Sequence, residues 1–222
     1  MKHSLHTVLT LLFVCASAWG ENVPWQNPQI NEINREPAHA HFIPYTNEAN
    51  ALKQQALPAA QRFAVNPATE RRISLDGTWK FLFSKNNEEC PTDFYKMGYN
   101  TKRWKDIQVP GSWELQGFDS PIYTDVAYPF PANPPHVPTD YNPVGAYVRE
   151  FTVPAHWKGM DIFLDFEGVE SAFYCWVNGK LAGYSEDSRL PAHFNITPFL
   201  KAGKNKLNYT PFLKGGEEEF GR

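Results

Sequence analysis

The stretch AFYCWVNGKLAGYSE, residues 172–186, restricts the fold of this chain more than any other segment. Two runs of strand-forming residues flank Asn178-Gly179, and both central residues of a type I′ turn need a positive φ, which Asn and Gly tolerate best. The stretch therefore predicts an antiparallel hairpin formed by residues 172–177 and 180–184. It is the strongest short-range sign of β-structure in the sequence.

Several other short runs have the composition of strands. In RRISLDGTWKFLFS, apolar residues alternate around Asp76-Gly77, which predicts a hairpin or a bent strand with one buried face. Further strands are predicted over residues 106–109, 145–153 and 160–166. Because no stretch shows a long helical period, we expect an all-β fold: an antiparallel β-sandwich of jelly-roll type.

The segment of residues 121–145 contains too many prolines to be a central strand. It predicts an ordered surface loop. A loop of this length in a compact domain is usually functional or contacts a neighbour.

The N-terminal part of the chain has a different composition. Residues 1–20 begin with the cationic Lys2, continue through an apolar run and reach small residues at 16–18, as a cleavable signal peptide does. The apolar run is too short for a membrane span, which needs about 20 residues. We therefore predict export to the periplasm; secretion, or lipid attachment at Cys15, is the alternative. Residues 21–70 predict an extended arm with a helical turn or two within 49–60.

Composition excludes some classes of function. The net charge is −3, and Lys and Arg are scattered, which gives no footprint for nucleic acid or an anionic membrane. Cys90 and Cys175 remain after signal removal, too few for a disulfide framework in a domain of this size. Cys175 lies in an apolar strand-like run and is expected to be a buried free thiol.

Three groups of polar residues are candidates for chemistry. Asp187 in GYSEDSRLPAHFNIT either caps a turn or binds a ligand, and the local sequence does not decide between these roles. Glu167 and Glu170 surround a glycine, and nothing in the sequence fixes their separation, so they do not predict a catalytic pair. His39 and His41 have a spacing that can chelate zinc, but the sequence identifies no further ligands, so packing of the arm is the favoured interpretation.

A longer pattern resembles a known family. The segments VPGSWELQGFDSPIYTDVAYPFPANPPHVPTDYNPVGAYVREFTVP and FEGVESAFYCWVNGKLAGYSEDSRLPAHFNIT are similar to the N-terminal sugar-binding domain of family 2 glycoside hydrolases, of the bacterial β-galactosidase type. WQNPQINEINREPAHAHFIPY and SLDGTWKFLF resemble the arm and first strand of the same proteins. The similarity covers residues 25–208.

The resemblance implies a jelly-roll domain over residues 71–208, the first of five in a tetrameric retaining enzyme that hydrolyses terminal β-D-galactosides. In that family, two glutamates about 5 Å apart perform the reaction. Both belong to a later barrel domain that this sequence does not include. Family members use Mg²⁺ and Na⁺, and no cofactor is expected in this chain alone.

The resemblance also assigns roles to single residues. Asp187 corresponds to an aspartate that reaches the active site, binds sugar hydroxyls and serves as a sodium ligand. A carboxylate suits both roles, because it accepts several hydrogen bonds and offers hard oxygen atoms to a cation. Asp125 lies where relatives often have an asparagine that contacts galactose. Arg189 is expected to pair with a nearby carboxylate rather than to touch the substrate.

The sequence departs from the family pattern after residue 208. Pro211 would remove a hydrogen-bond donor from an inner strand, and GGEEE is a charged run, so residues 209–222 predict an aberrant or disordered tail. A frameshifted or truncated product without hydrolase activity is the favoured interpretation. The alternatives are a free-standing carbohydrate-binding module and a subunit that complements a separately encoded barrel.

Overall fold

A computed structural model describes residues 23–58, 69–121, 131, 133, 136–187 and 189–212. The predicted signal peptide, Cys15, Asp125 and residues 213–222 of the predicted tail lie outside these residues. No helix in the described ranges has the length and apolar character needed to cross a membrane. The domain boundaries given above stay predictions.

Strands dominate the described part of the chain, which contains one short α-helix. The strands are β1 (Glu32–Ile33), β2 (Gly77–Ser84), β3 (Lys105–Val109), β4 (Val144–Thr152), β5 (Phe163–Phe166), β6 (Ala172–Val177), β7 (Lys180–Glu186), β8 (Ala192–Asn195) and β9 (Lys204–Phe212). Helix α1 (Glu48–Gln55) lies in the arm, and the side chain of Asn47 accepts a hydrogen bond from Asn50 N at its start. Single 3₁₀ turns occur at Pro24–Gln26, Glu114–Gln116, Ala155–Trp157 and Thr197–Phe199.

The strands form two antiparallel sheets. A seven-stranded sheet has the order β1-β7-β6-β9-β4-β2-β3, and a two-stranded sheet consists of β5 and β8. Leu164, Ala192 and Phe194 of the small sheet pack with Trp79, Phe81, Tyr147, Phe173 and Tyr209 of the large sheet in one core. The predicted antiparallel β-sandwich is confirmed.

The second face of the large sheet is also buried. Cys90, Phe94 and Trp104, from the segment between β2 and β3, pack there against Val144 and Tyr184. The arm contributes Trp25, Ile30 and Ile33 to the same cluster. Both faces of β4 are therefore covered at its start, which explains its continuous apolar run.

The hairpin predicted around Asn178-Gly179 is confirmed. Asn178 has φ 52° and Gly179 has φ 83°, as a type I′ turn requires, and Val177 pairs with Lys180. Cys175 is a buried free thiol, as expected.

Of the two alternatives predicted around Asp76-Gly77, a hairpin or a bent strand, the hairpin is wrong. Residues 73–76 form no strand, and β2 begins at Gly77. The Arg149 guanidinium donates to the carbonyl oxygens of Leu75 and Asp76 at 2.6 and 2.9 Å, so a side chain satisfies these groups instead of a partner strand. The buried face predicted for this segment is correct, since Trp79 and Phe81 are in the core.

Strand β9 extends past the boundary predicted at residue 208, because Pro211 does not end it. Gly145 lies opposite Pro211 in the register set by the pairs Val144–Phe212 and Tyr147–Tyr209. The Thr210 hydroxyl donates to Gly145 O at 2.9 Å, so that carbonyl has a donor although proline has no N–H. The ring of Tyr209 stacks on that of Tyr147 at 4.3 Å between centroids.

The contact between β7, the arm and the small sheet needs a residue without a side chain. A Cβ atom on Gly183 would lie 2.3 Å from Cε1 of Phe194 and 2.6 Å from the carbonyl oxygen of Ile33. Gly183 thus allows the arm and β8 to approach the same point of β7.

Candidate functional site

The end of β7 leads into Asp187 at a well-defined edge of the large sheet. Val144 pairs with Phe212, Phe212 with Ala172, and Ala172 with Glu186, so these positions form one row across four strands. Adjacent strands are about 4.8 Å apart, which places Val144 roughly 14 Å from Glu186. The connections before β4, before β6 and after β7 therefore meet at one end of the sandwich.

The N-terminal arm holds β7 at this edge. β1 pairs with Tyr184 and Ser185, and the backbone N–H of Glu186 donates to Asn31 O at 3.1 Å. Arg35 donates to Ser185 Oγ at 2.9 Å and to Glu186 O at 3.1 Å. An arm that the sequence suggests to be irregular thus contributes a strand and a guanidinium that fix the residues just before Asp187.

Glu186 and Asp187 have different surroundings although they are adjacent in the chain. The Tyr184 hydroxyl donates to Glu186 Oε1 at 2.6 Å, and the Glu186 side chain is half-buried. Burial, together with the Glu186 carboxylate, raises the pKa of Tyr184, which keeps the tyrosine a hydrogen-bond donor. Glu186 therefore has a structural role that its neighbour does not share.

Asp187 is exposed and has a backbone conformation that is uncommon for a residue with a side chain. Its φ is 97°, and Asp is among the few such residues that occur repeatedly at positive φ. The Arg189 N–H points to Asp187 Oδ1 at 3.4 Å, the geometry of a loose turn. Because a carboxylate accepts several hydrogen bonds, this contact is compatible with binding of a further donor.

Glu170 and Arg189 lie beside Asp187, and we call these three residues the Asp187 corner. Arg189 Nη2 is 3.6 Å from Glu170 Oε1, and both side chains are mostly exposed. The expected pairing of Arg189 with a carboxylate is confirmed. Glu167 pairs with Arg72 instead, at 3.1 Å, so Glu167 and Glu170 have separate cationic partners.

The far end of the long loop returns to the sheet through fixed contacts. Asn142 N donates to Lys85 O at 2.9 Å, and the Tyr141 hydroxyl donates to Asp119. Burial and the Asp119 carboxylate raise the pKa of Tyr141 to about 12. Asp125, the second predicted substrate contact, lies outside the described residues.

Metal-ligating side chains gather elsewhere in the described part of the chain, and the role of Asp187 as a sodium ligand stays a prediction. In that part, His41, Asp165 and Glu167 have potential ligand atoms within 4.8 Å of one another. Asp187 does not belong to this group.

The histidines of the arm lie over the small sheet. The ring centroid of His39 is 4.2 Å from that of His193 in β8, and His193 Nδ1 is 3.3 Å from Asp165 Oδ1 in β5. Burial lowers the pKa of His193, and nearby His39 and His41 act in the same direction, against the Asp165 carboxylate. We call His39, His41, Asp165, Glu167 and His193 the arm cluster.

Comparison with known proteins supplies further evidence. The family model described as "Glycosyl hydrolases family 2, sugar binding domain" matches residues 73–214. The chain is 42% identical over 185 residues to a β-galactosidase of Priestia megaterium, and 40% identical over 191 residues to a β-galactosidase of Halalkalibacterium halodurans. The alignments cover 82% and 84% of this chain but only 17% and 18% of those enzymes.

Among solved structures, a β-glucuronidase of Bifidobacterium dentium in complex with coumarin-3-O-glucuronide matches with a TM-score of 0.49 and 24% identity. That match covers 67% of this chain and 21% of the glucuronidase chain.

Proposed function

The chain belongs to family 2 of the glycosyl hydrolases through its sugar-binding domain, and from this premise we propose that it is the N-terminal domain of a β-galactosidase. In the complete enzyme, Asp187 binds hydroxyl groups of the terminal β-D-galactose residue. The observation that carries the proposal is the exposed Asp187 carboxylate at a sheet end where three connections meet.

The charge of the Asp187 corner favours a neutral sugar. Glu170 and Asp187 are exposed carboxylates, and Arg189 is the cation that pairs with Glu170. Carboxylates accept hydrogen bonds from sugar hydroxyls, whereas a sugar that carries its own carboxylate is repelled by them. This is a reason to propose a galactoside rather than a uronic acid as the ligand.

The proposed role of Asp187 is to orient the sugar. Retaining hydrolysis needs two carboxyl groups about 5 Å apart across the glycosidic bond. Since Glu167 and Glu170 have separate partners, we assign the acid/base and the nucleophile to a domain outside this chain. The chain alone is then expected to show no hydrolysis. Sodium binding by Asp187, a tetramer and docking against the remaining domains belong to the same proposal.

Residues 1–20 and Asp125 extend the proposal. The composition of residues 1–20 supports export to the periplasm, which fractionation of cells that express the chain would test, with the product in the cytoplasm as the contrary result. Asp125 would accept a hydrogen bond from a sugar hydroxyl, but it has no amide donor.

A chimera tests the role of Asp187 in a complete enzyme. The matching region of the Priestia megaterium β-galactosidase is replaced by that of this chain, and hydrolysis of a chromogenic β-galactoside is measured. Loss of a charged hydrogen bond is worth about 1.5–3 kcal/mol, so Asp187→Asn should lower kcat/KM by about 10–100-fold.

The control is Asp161→Asn, which changes an exposed carboxylate just before the start of β5. Equal kcat/KM for the Asp187→Asn and Asp161→Asn chimeras would contradict the proposal. Turnover by the unfused chain would contradict the assignment of catalysis to another domain. Saturable heat on titration of the unfused chain with galactose would favour a free-standing binding module.

A further inference from the structure

We propose that the arm cluster is a binding site for a divalent transition-metal ion such as zinc, and that His41, Asp165 and Glu167 are its protein ligands. The potential ligand atoms of these three side chains lie within 4.8 Å of one another, and all three residues are exposed. The bound metal would tie the N-terminal arm to the small sheet. The proposal of this site does not rest on the sugar site proposed above.

Strand geometry explains why the ligands converge. Asp165 pairs with His193 across β5 and β8, and directly opposed side chains on one face of a sheet are neighbours. Glu167 lies two positions after Asp165, close to the end of β5. Glu36 N donates to His193 O at 2.9 Å, which brings the arm alongside β8 just before His39 and His41.

The set of ligands matches the chemistry of zinc. Imidazole nitrogen and carboxylate oxygen both bind Zn²⁺ at about 2.0–2.2 Å, and three protein ligands with one water complete a tetrahedral site. Ligand atoms in such a site are roughly 3.4 Å apart, so the cluster must contract by ~1–1.5 Å. Rotation of exposed side chains can supply this movement.

His193 and His39 support the ligands from one side. His193 Nδ1 contacts Asp165 Oδ1, which resembles the hydrogen-bonded second layer of many metal sites, and His39 packs on the His193 ring. Arg72 pairs with Glu167 Oε1, and because a carboxylate has about four acceptor positions, this pair is compatible with a metal bond from Glu167.

Titration of the full chain, purified without a polyhistidine tag, with Zn²⁺ tests the proposal. We expect saturable binding of one ion in calorimetry at pH 7.5. Zinc at about 100 times its Kd should raise Tm by about 5–10 °C. Co²⁺ in place of zinc should give visible absorption bands of a low-coordinate site.

The variants are His41→Ala and Asp165→Asn, and each should weaken zinc binding by at least the 10–100-fold that changes around metal ligands cause. His136→Ala, which removes an exposed imidazole in another segment, is the matched control and should bind like the unmodified chain. The proposal is overturned by absence of saturable binding up to 100 times the chain concentration. It is also overturned if both variants bind zinc like the control.

Discussion

The Asp187 corner and the arm cluster lie on one small domain, and they differ in how the sequence encodes them. Asp187 and Arg189 of the corner belong to one contiguous motif that resembles the family pattern, and Glu170 joins them through its ion pair with Arg189. The arm cluster draws its side chains from three segments, and no motif connects them. The corner presents one exposed carboxylate in the role proposed for Asp187, whereas the proposed metal site takes all three of its protein ligands from this chain.

Both regions nevertheless depend on the arm. At the corner, the arm acts through β1 and Arg35, whose contacts are hydrogen bonds to β7. In the arm cluster it acts through imidazole side chains. Substitutions that separate these two kinds of attachment show whether the regions are coupled.

The largest effect is expected for Gly183→Ala, because the new Cβ would overlap with Phe194 and with the carbonyl oxygen of Ile33. Overpacking of this kind costs about 1–3 kcal/mol in the free energy of unfolding, measured by urea denaturation. Because Gly183 lies where the arm and β8 meet β7, zinc affinity should fall as well. A loss of stability with unchanged zinc affinity would show that the contact at Gly183 does not position the arm cluster.

A second substitution distinguishes the two overlaps. Phe194→Leu makes room for the new Cβ atom. The free energy of unfolding should therefore fall less in the double variant than the sum of its falls in the two single variants. Strict additivity would show that contact with Phe194 is not the cause.

An intermediate effect is expected for Arg35→Ala, which removes two hydrogen bonds to the end of β7 and an ion pair with Glu32 but leaves the side chains of the arm cluster unchanged. The loss should be about 1 kcal/mol, with faster amide hydrogen exchange at Glu186. Arg103→Ala, at an exposed position outside the arm, is the control. Equal exchange at Glu186 in both variants would show that Arg35 does not hold the corner.

The smallest effect is expected for Arg189→Ala. Its partner Glu170 and Arg189 itself are mostly exposed, and ion pairs of this type contribute between about 0 and 1 kcal/mol. Denaturation in urea should give a free energy of unfolding within about 0.5 kcal/mol of that of the unmodified chain. A loss above that size would mean that Arg189 organises the turn at Asp187 and is more than a surface charge.

The sequence predicts those strands whose own residues alternate or flank a defined turn. The β6–β7 hairpin follows from Asn178-Gly179, and β4 from its apolar run. β1 is not predictable in this way, because two residues become a strand only by pairing with β7. β9 looks too polar for a central strand, but Asn205 and Asn208 are buried, and the Asn205 amide donates to Lys201 O and Gly203 O.

The candidate sites divide along the same line. Asp187 is a candidate because of the family resemblance of its motif, since the local sequence alone does not separate a turn from a ligand site. His39 and His41 are visible in the sequence, but the neighbours of His41, Asp165 and Glu167, lie more than a hundred positions later, and only the approach of the arm to β8 brings them together. Packing of the arm, the interpretation favoured from the sequence, agrees with the contact of His39 with His193, and the metal role of His41 is the proposal made above.

The position of β9 has a consequence for synthesis of the protein. It is the last strand of the described sequence, yet it lies between β4 and β6 in the large sheet. Until residues 204–212 have left the ribosome, β2–β3–β4 and β6–β7 have no strand to join them, and two unpaired edges are open to other chains. Translation through this segment therefore decides whether the two halves combine within one molecule or with a neighbour.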